Sequence, residues 1–321
     1  MTPQVPPLRL GTRRSPMAMV QAGLVARAIT ARTGFDVELV GIESAGDQSP
    51  GLLTQIGGTG VFVSSLRASL LTGEVDIAVH SLKDLPTGPA AGIALAAVPV
   101  RDDPRDALVT RDGAKLADLA RGAIVGTGSP RRAAQLLLLR PDIHPVPVRG
   151  NAGTRLAKVE NGDLDALVLG FAGLSRIGRL DAVAQVFEPD EMLPAAGQGA
   201  LAVECNQARE GLVALLGAID DPVSRAATTA ERTLLGALQG GCAAPVGAYA
   251  SGMDVLRLDG LVVAADGGMA LRGSASGAPA AAEELGRQVA ADLLGRGAAR
   301  CMAVSGMAGA GGHLTSGDDD K

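Results

Sequence analysis

Residues 123 to 140 read "AIVGTGSPRRAAQLLLLR". A short apolar run reaches a turn predicted at Gly-Thr, and Ser129 and Pro130 then open a leucine-rich helical stretch. Serine suits the N-cap because its oxygen accepts an orphan backbone amide, and proline suits the first helical position because it has no amide to leave unpaired. The stretch therefore predicts a strand that delivers a helix N-terminus at its end. Such an end attracts anions, and Arg131 and Arg132 stand beside it. Residues 8 to 29, "LRLGTRRSPMAMVQAGLVARAI", repeat the plan with Ser15, Pro16 and the pair Arg13 and Arg14.

A second pair of stretches supports a duplication. "TGEVDIAVHSLKD" (72 to 84) and "NGDLDALVLGFAG" (161 to 173) share a glycine, acidic residue, any residue, aspartate pattern that runs into a buried-type strand. Helix and strand signals alternate through both halves. This predicts two α/β lobes of related topology with mixed or mostly parallel sheets, facing each other across a cleft where ligands collect at strand ends. From residue 218 the pattern changes to a helix, short strands with Asp-Gly hairpin turns in "LRLDGLVVAADGGMALRGSASG", and a last helix. The expected organisation is residues 1–99 with 200–217 as domain 1, 100–199 as domain 2, and 218–305 as a smaller α/β C-terminal domain. Residues 306–321, Gly-rich and then acidic, read as a disordered tail.

Composition narrows the function. A net charge of -5 argues against nucleic acid or an anionic membrane as the main partner, and 2% aromatic residues with no Trp leaves little to stack bases on. No run of 18 apolar residues and no leader-like start is present, so a cytoplasmic protein is expected. The three cysteines, Cys205, Cys242 and Cys301, lack CxxC spacing, and three histidines are scattered, so neither a disulfide framework nor a metal site is expected.

Local chemistry is more specific. Arg13, Arg14, Lys83, Arg131, Arg132, Arg149, Arg155 and Arg176 each follow a predicted strand or sit near glycine. Any one of them alone reads as a solvated surface charge. Together they suit a ligand with several carboxylates, because guanidinium forks bind carboxylate at two points. Lys83 and Asp84 belong to a loop just after a strand and before Pro86. Asp84 reads equally as a turn aspartate or as a lone carboxylate that stabilises a cation or moves a proton in a basic cleft. Cys242, after two glycines and before Pro245, sits on a constrained turn, where a thiol can serve as a nucleophile or a covalent attachment point.

The ordered motifs "GTRRSPMAMVQA", "AVHSLKDLP", "RDDPRDAL", "GTGSPRR", "RGNAGTRLAKVENGDLDALVL", "AGLSRIG", "LPAAGQGALAVEC" and "GGCAAPVGAYA" resemble the porphobilinogen deaminase (hydroxymethylbilane synthase) family along nearly the whole chain. The resemblance implies two periplasmic-binding-protein-like lobes plus a smaller α/β domain. It implies a dipyrromethane cofactor joined by a thioether to Cys242, on which four porphobilinogen molecules condense head to tail with loss of ammonia. Asp84 would be catalytic, contacting pyrrole N–H groups and stabilising the cationic azafulvene. Lys83, Asp84, Ser129, Arg131, Arg132 and Gly150 would contact the cofactor. Arg13, Ser15, Arg149, Arg155 and Arg176, with Gln198 nearby, would bind substrate and chain carboxylates. A monomer is implied as well.

The chain departs from the family pattern at Thr59, in a Gly-rich loop expected over residues 48 to 60 where a lysine is common, and at Ser64 and Ser65, where a Lys-Glu pair is common. Pro130 replaces a usual leucine, and "ERTLLGALQGGC" lacks the common Asn-Arg-Arg. Two competing readings are a two-lobed anion-binding protein without catalysis and a cysteine hydrolase using Cys242, His80 and Asp84.

Overall fold

The computed structural model describes residues 6–42, 58–239 and 244–307. The chain opens with β1 (Leu8–Arg13), α1 (Pro16–Thr33), β2 (Val37–Ile42), α2 (Gly58–Thr72), β3 (Ile77–Ser81) and β4 (Ile93–Ala97). It crosses to a second lobe of β5 (Asp106–Thr110), β6 (Ile124–Thr127), α3 (Pro130–Leu139), β7 (His144–Pro147), α4 (Ala152–Glu160), β8 (Ala166–Gly170), α5 (Phe171–Arg176) and β9 (Val183–Val186). It then returns through β10 (Leu201–Asn206) and α6 (Glu210–Leu216).

The two five-stranded sheets have one plan. Their orders are β2-β1-β3-β10-β4 and β7-β6-β8-β5-β9. In each, three strands are parallel and the fourth and fifth are antiparallel to their neighbours. The antiparallel fourth strand, β10 or β5, is in both cases the one that arrives from the other lobe. The sheets are thus mixed, and the duplication lies in topology as well as in sequence.

The two Ser-Pro starts behave as helix caps. Ser15 Oγ accepts from the Ala18 amide at 3.3 Å, and Ser129 Oγ accepts from the Arg132 amide at 3.4 Å. The helices bury different chemistry. α1 buries Gln21, Ala22, Val25 and Ile29 at helical spacing, an apolar face over the first sheet. α3 buries Arg131, Arg132, Ala134, Gln135 and Leu136, so its inward face carries two guanidinium groups. Such burial is tolerated only when the charges are paired.

Two local expectations change. Gly-Thr lies inside the strand ends of β1 and β6 rather than at a turn. Gly126 is there for packing, since a Cβ would stand 2.6 Å from Leu164 Cδ1. Likewise Asp259-Gly260 forms no hairpin turn. Both residues lie within β12 (Leu256–Val263), which follows β11 (Val246–Ser251) and precedes β13 (Ala270–Gly277). A Cβ on Gly260 would meet Leu234 Cδ2 at 2.6 Å, so the glycine lets the helix α7 (Pro222–Ala237) lie on the sheet. The turn falls instead beyond β12, at the second Asp-Gly, where Asp266 Oδ1 accepts from the Gly268 amide.

The C-terminal unit is an antiparallel β11-β12-β13 sheet with α7, α8 (Ala282–Gly295) and α9 (Ala298–Met307) around one core. Leu234, Leu258, Val262, Leu285, Val289 and Leu293 fill that core, each contributing roughly 1.5–3 kcal/mol by burial. Cys301 is buried in the same cluster. α9 reaches Met307, two residues into the segment expected as tail; residues 308–321 lie outside the described residues.

One carboxylate joins all three units. Glu231 of α7 is fully buried. Its Oε1 accepts from Arg101 Nη1 at 2.7 Å and from the Ala250 amide at 2.8 Å, and its Oε2 accepts from Arg101 Nη2 at 2.9 Å and the Gly197 amide at 2.7 Å. Arg101 lies on the first crossover between the lobes, Gly197 on the second, and Ala250 on β11. Removing one partner of a buried ion pair leaves the other charge uncompensated. Glu231→Ala is therefore expected to lower unfolding free energy by about 3–5 kcal/mol, read as a drop in the urea midpoint.

Candidate active site

The site begins at the end of β3. A single 3-10 turn, Leu82–Asp84, follows the strand, anchored by fully buried Leu82, whose amide donates to the Ala200 carbonyl at 3.0 Å. Lys83 and Asp84 are half-buried on that turn. The facing piece is the second crossover, "AAGQGA", where Gly197 and Gly199 take left-handed φ values of 74° and 86°. At Gly199 a Cβ would come within 2.4 Å of the Asp102 carbonyl, so the two crossovers touch there through backbone alone. Gln198, between these glycines, is turned inward and buried.

Gln198 links the lobes electrically. Its Oε1 accepts from Lys83 Nζ and from Arg132 Nη2, each at 3.2 Å, and its Nε2 donates to the Pro104 carbonyl at 2.7 Å and to Asp106 Oδ1 at 2.8 Å. Asp106 starts β5 and is fully buried. It accepts from Arg131 Nη1 at 2.7 Å and from Arg132 Nε at 2.9 Å. Burial alone would push the Asp106 carboxyl up, but Arg131 and Arg132 outweigh it and hold the group far below the usual carboxylate range. Lys83 is pushed down to about 8, by burial first and by the neighbouring Arg132 second. Burial and Arg132 also lower Arg155.

Two cavities flank this node. The first, about 160 Å³, has Lys83, Asp84, Ser129, Arg131 and Arg132 along one side and reaches Ala244, two residues beyond Cys242. The second, about 230 Å³, shares Lys83, Asp84, Arg132 and Gln198 and extends to Arg155 and Arg176. The Lys83–Asp84 turn is a common wall. Arg13 and Ser15 stand at the β1–α1 junction, just before Met17 and Gln21, which line the second cavity. Arg149 and Gly150 are exposed beyond β7 and line neither cavity, although the Gly150 carbonyl accepts from Arg155 Nε at 2.8 Å. Arg176 donates to Asp102 Oδ2 and to the Gly199 carbonyl, which ties it to both crossovers. Cys242 and loop residues 48–57 lie outside the described residues, whereas Thr59, Ser64 and Ser65 belong to α2.

His80 is buried beside Glu204, with Nε2 3.4 Å from Glu204 Oε2, and lines neither cavity. That removes the support for a cysteine hydrolase built on His80. Asp106, Asp102, Arg101 and Glu231 escaped assignment from sequence. For Arg101, Asp102 and Asp106 the density of opposite charges in "RDDPRDAL" was the available signal, since adjacent acids and bases at a strand start must be paired when buried; Glu231 had no such signal.

The comparisons with known proteins decide the family. The family model described as "Porphobilinogen deaminase, dipyromethane cofactor binding domain" matches residues 8–214, and "Porphobilinogen deaminase, C-terminal domain" matches 226–295. The chain belongs to the porphobilinogen deaminase family. The porphobilinogen deaminase of Thermobifida fusca (strain YX) is 59% identical over 307 residues, covering 92% of this chain and 96% of that protein. Porphobilinogen deaminase 1 of Streptomyces coelicolor (strain ATCC BAA-471 / A3(2) / M145) is 53% identical, covering 92% and 97%. Among solved structures, a periplasmic substrate-binding protein of an ABC transporter from Coxiella burnetii has a TM-score of 0.42 at 15% identity, covering 68% of this chain and 94% of that one.

Both cavities draw most of their walls from the part that matches the cofactor-binding model of the porphobilinogen deaminase family. The residues present fit dipyrromethane, a pair of pyrroles bearing acetate and propionate groups. Lys83, Arg131 and Arg132 supply cationic donors to the first cavity, and Arg131 Nε is buried with no hydrogen-bond partner among the described residues. An orphaned donor in a cation-lined cavity suits an anionic ligand. No group of three His, Cys, Asp or Glu that could hold a metal ion occurs among the described residues.

The lysine gives a pH test. With its folded value lowered from 10.5 to about 8, the ammonium form of Lys83 costs the ligand-free protein stability below pH 8, and the cost fades as pH rises from 8 towards 10.5. Lys83→Met is expected to raise the melting temperature of cofactor-free protein at pH 7, with the gain shrinking by pH 10. The same variant should assemble its primer from porphobilinogen more slowly, followed by intact mass.

Proposed function

We propose that the Lys83–Asp84 turn is where this chain joins porphobilinogen units, with Asp84 as the catalytic carboxylate. The protein is a transferase, hydroxymethylbilane synthase. It condenses four porphobilinogen molecules head to tail on a dipyrromethane primer, releases ammonia each time, and frees hydroxymethylbilane by adding water. The observation that carries the reading is the shared wall: one turn borders a cavity reaching Ala244 and another reaching Arg155 and Arg176. A growing chain and an incoming unit can meet across it.

The roles proposed for the side chains are those that the family resemblance implies. Cys242 holds the primer by a thioether, and Lys83, Ser129, Arg131, Arg132 and Gly150 hold its carboxylates and backbone contacts. When bound, the primer supplies the free pyrrole carbon at which the first new bond forms. Arg13, Ser15, Arg149, Arg155 and Arg176 orient the acetate and propionate of substrate and product rings, with Gln198 bracing Lys83 against Arg132. A carboxylate oxygen of Asp84 accepts the pyrrole N–H of porphobilinogen. It stabilises the cation formed as the aminomethyl C–N bond breaks and ammonia leaves, then takes the proton lost when the new C–C bond restores the aromatic ring. A fixed anion in a partly dry site is well suited to a developing cation, because it needs no reorganisation as the charge appears. The surrounding guanidinium groups would themselves repel that cation, so their pairing with Asp106 and Asp102 matters to the balance.

We also read the protein as a cytoplasmic monomer that binds no nucleic acid. The -5 net charge supports the last of these, and the family resemblance implies the monomer. The domain limits proposed are 1–99 with 200–217, 100–199, and 218–305; the strand content of the three sheets supports them.

Denaturing intact mass should show two linked pyrrole units on the wild type and none on Cys242→Ser; equal bound mass in the two would remove the tether. Asp84→Asn should keep the primer and lose turnover by about 10²–10³-fold or more, since an amide cannot balance a cation. Near-normal turnover would take Asp84 out of its role.

A further inference from the structure

Arg232 reaches the Asp84 turn from behind. It lies on α7 and donates Nη1 to the Leu82 carbonyl at 3.1 Å and to the Leu85 carbonyl at 3.0 Å, and Nη2 to the Pro86 carbonyl at 2.7 Å. These carbonyls bracket Lys83 and Asp84 on both sides. Arg232 itself lines a different cavity, of about 720 Å³, between the first lobe and the C-terminal unit, whose wall includes Thr87, Pro89 and Glu283 but not Asp84. Arg232 lines neither of the two cavities that hold Asp84. Arg232 thus meets the Asp84 turn through its backbone carbonyls.

The helix that carries Arg232 also leads to the tether. α7 ends at Ala237, five residues before Cys242, and Gln239 takes a left-handed φ of 53° on the way. A guanidinium is a rigid planar fork, so one side chain that satisfies three carbonyls fixes both distance and orientation between the turn and the helix. An ammonium on a flexible stem cannot hold the same plane. We propose that Arg232 is a positioning residue that fixes the Lys83–Asp84 turn, and with it the carboxylate of Asp84, against α7, the helix that leads in sequence to Cys242. The proposal rests on the roles given above to Asp84 and Cys242.

A neighbouring residue gives the control. Arg225 lies on the same helix and also bonds across to the first lobe, donating to the Ala96 carbonyl at 3.0 Å and to Asp220 Oδ2 at 2.7 Å. Those contacts sit on β4 and before α7, away from the Lys83–Asp84 turn. Arg225 thus reports on general docking of α7 alone.

The experiment compares Arg232→Gln, Arg232→Lys and Arg225→Gln with the wild type, each assayed for porphobilinogen turnover per mole of primer-loaded protein, the loading read by intact mass. Arg232→Gln is expected to lower kcat about 10- to 100-fold, the scale of a sub-ångström to ångström misplacement, with KM changed less than about twofold. Arg232→Lys should recover only part of that loss. Arg225→Gln should lower the melting temperature comparably and leave kcat as in the wild type. The proposal is overturned if loaded Arg232→Gln or Arg232→Lys turns over as the wild type does, if the loss appears in KM, or if Arg225→Gln loses as much kcat. A wild type inert towards porphobilinogen would instead remove the underlying reading of the site, so the two failures are told apart.

Discussion

Glu231 sets the constraint under which the remaining geometry operates. Two lobes joined by two crossovers have no reason of their own to keep a fixed angle, and a third unit docked beside them adds further freedom. A single buried carboxylate that accepts from Arg101, Gly197 and Ala250 removes much of it, because each of those donors belongs to a different segment. The adjoining Gln198 carbonyl takes the Nε of Arg101, so the same guanidinium also holds the backbone of the residue that joins Lys83 to Arg132. Architecture and site are thus continuous through two side chains.

Inside the site the notable economy is one of charge. Arg131 and Arg132 look from sequence like free anion receptors, yet both face Asp106, and Arg131 also donates to the Leu193 carbonyl. A wholly unpaired cluster would repel itself and would depress Lys83 further than it is. One buried carboxylate keeps the guanidinium groups rigid and leaves the region positive, which suits acidic pyrroles, while avoiding a field that would oppose a cation at Asp84. Arg176 is tempered in the same way by Asp102.

The duplication was legible because Ser15–Pro16 and Ser129–Pro130 are local signals whose physics does not depend on the fold, and both caps form as expected. Lys83, Arg131, Arg132, Arg155 and Arg176, which line the two cavities, were legible for a similar reason, since they follow strand ends or glycines, whereas Arg149 carries the same signal and lines neither. Asp106, Glu231 and Arg232 were not, because a charge on a strand start or a helix declares its partner only through contacts 25 to 150 residues away in sequence. The Gly-Thr and Asp259-Gly260 dipeptides misled for a complementary reason. Glycine was read as a turn former, whereas Gly126 and Gly260 make room for the leucines of a neighbouring element.

The exchange of strands between the lobes bears on the order in which the molecule can be made. The second sheet is built from one continuous stretch, residues 106 to 186, so it can close as soon as that stretch is free of the ribosome. The first sheet cannot. Among the described residues β4 pairs only with β10, and β10 is inserted between β3 and β4, so the lobe translated first waits for residues 201 to 206 with an unsatisfied edge. An N-terminal lobe that is early in synthesis is therefore late in assembly, and the interval between them is the stage at which this chain exposes sheet edge to other molecules.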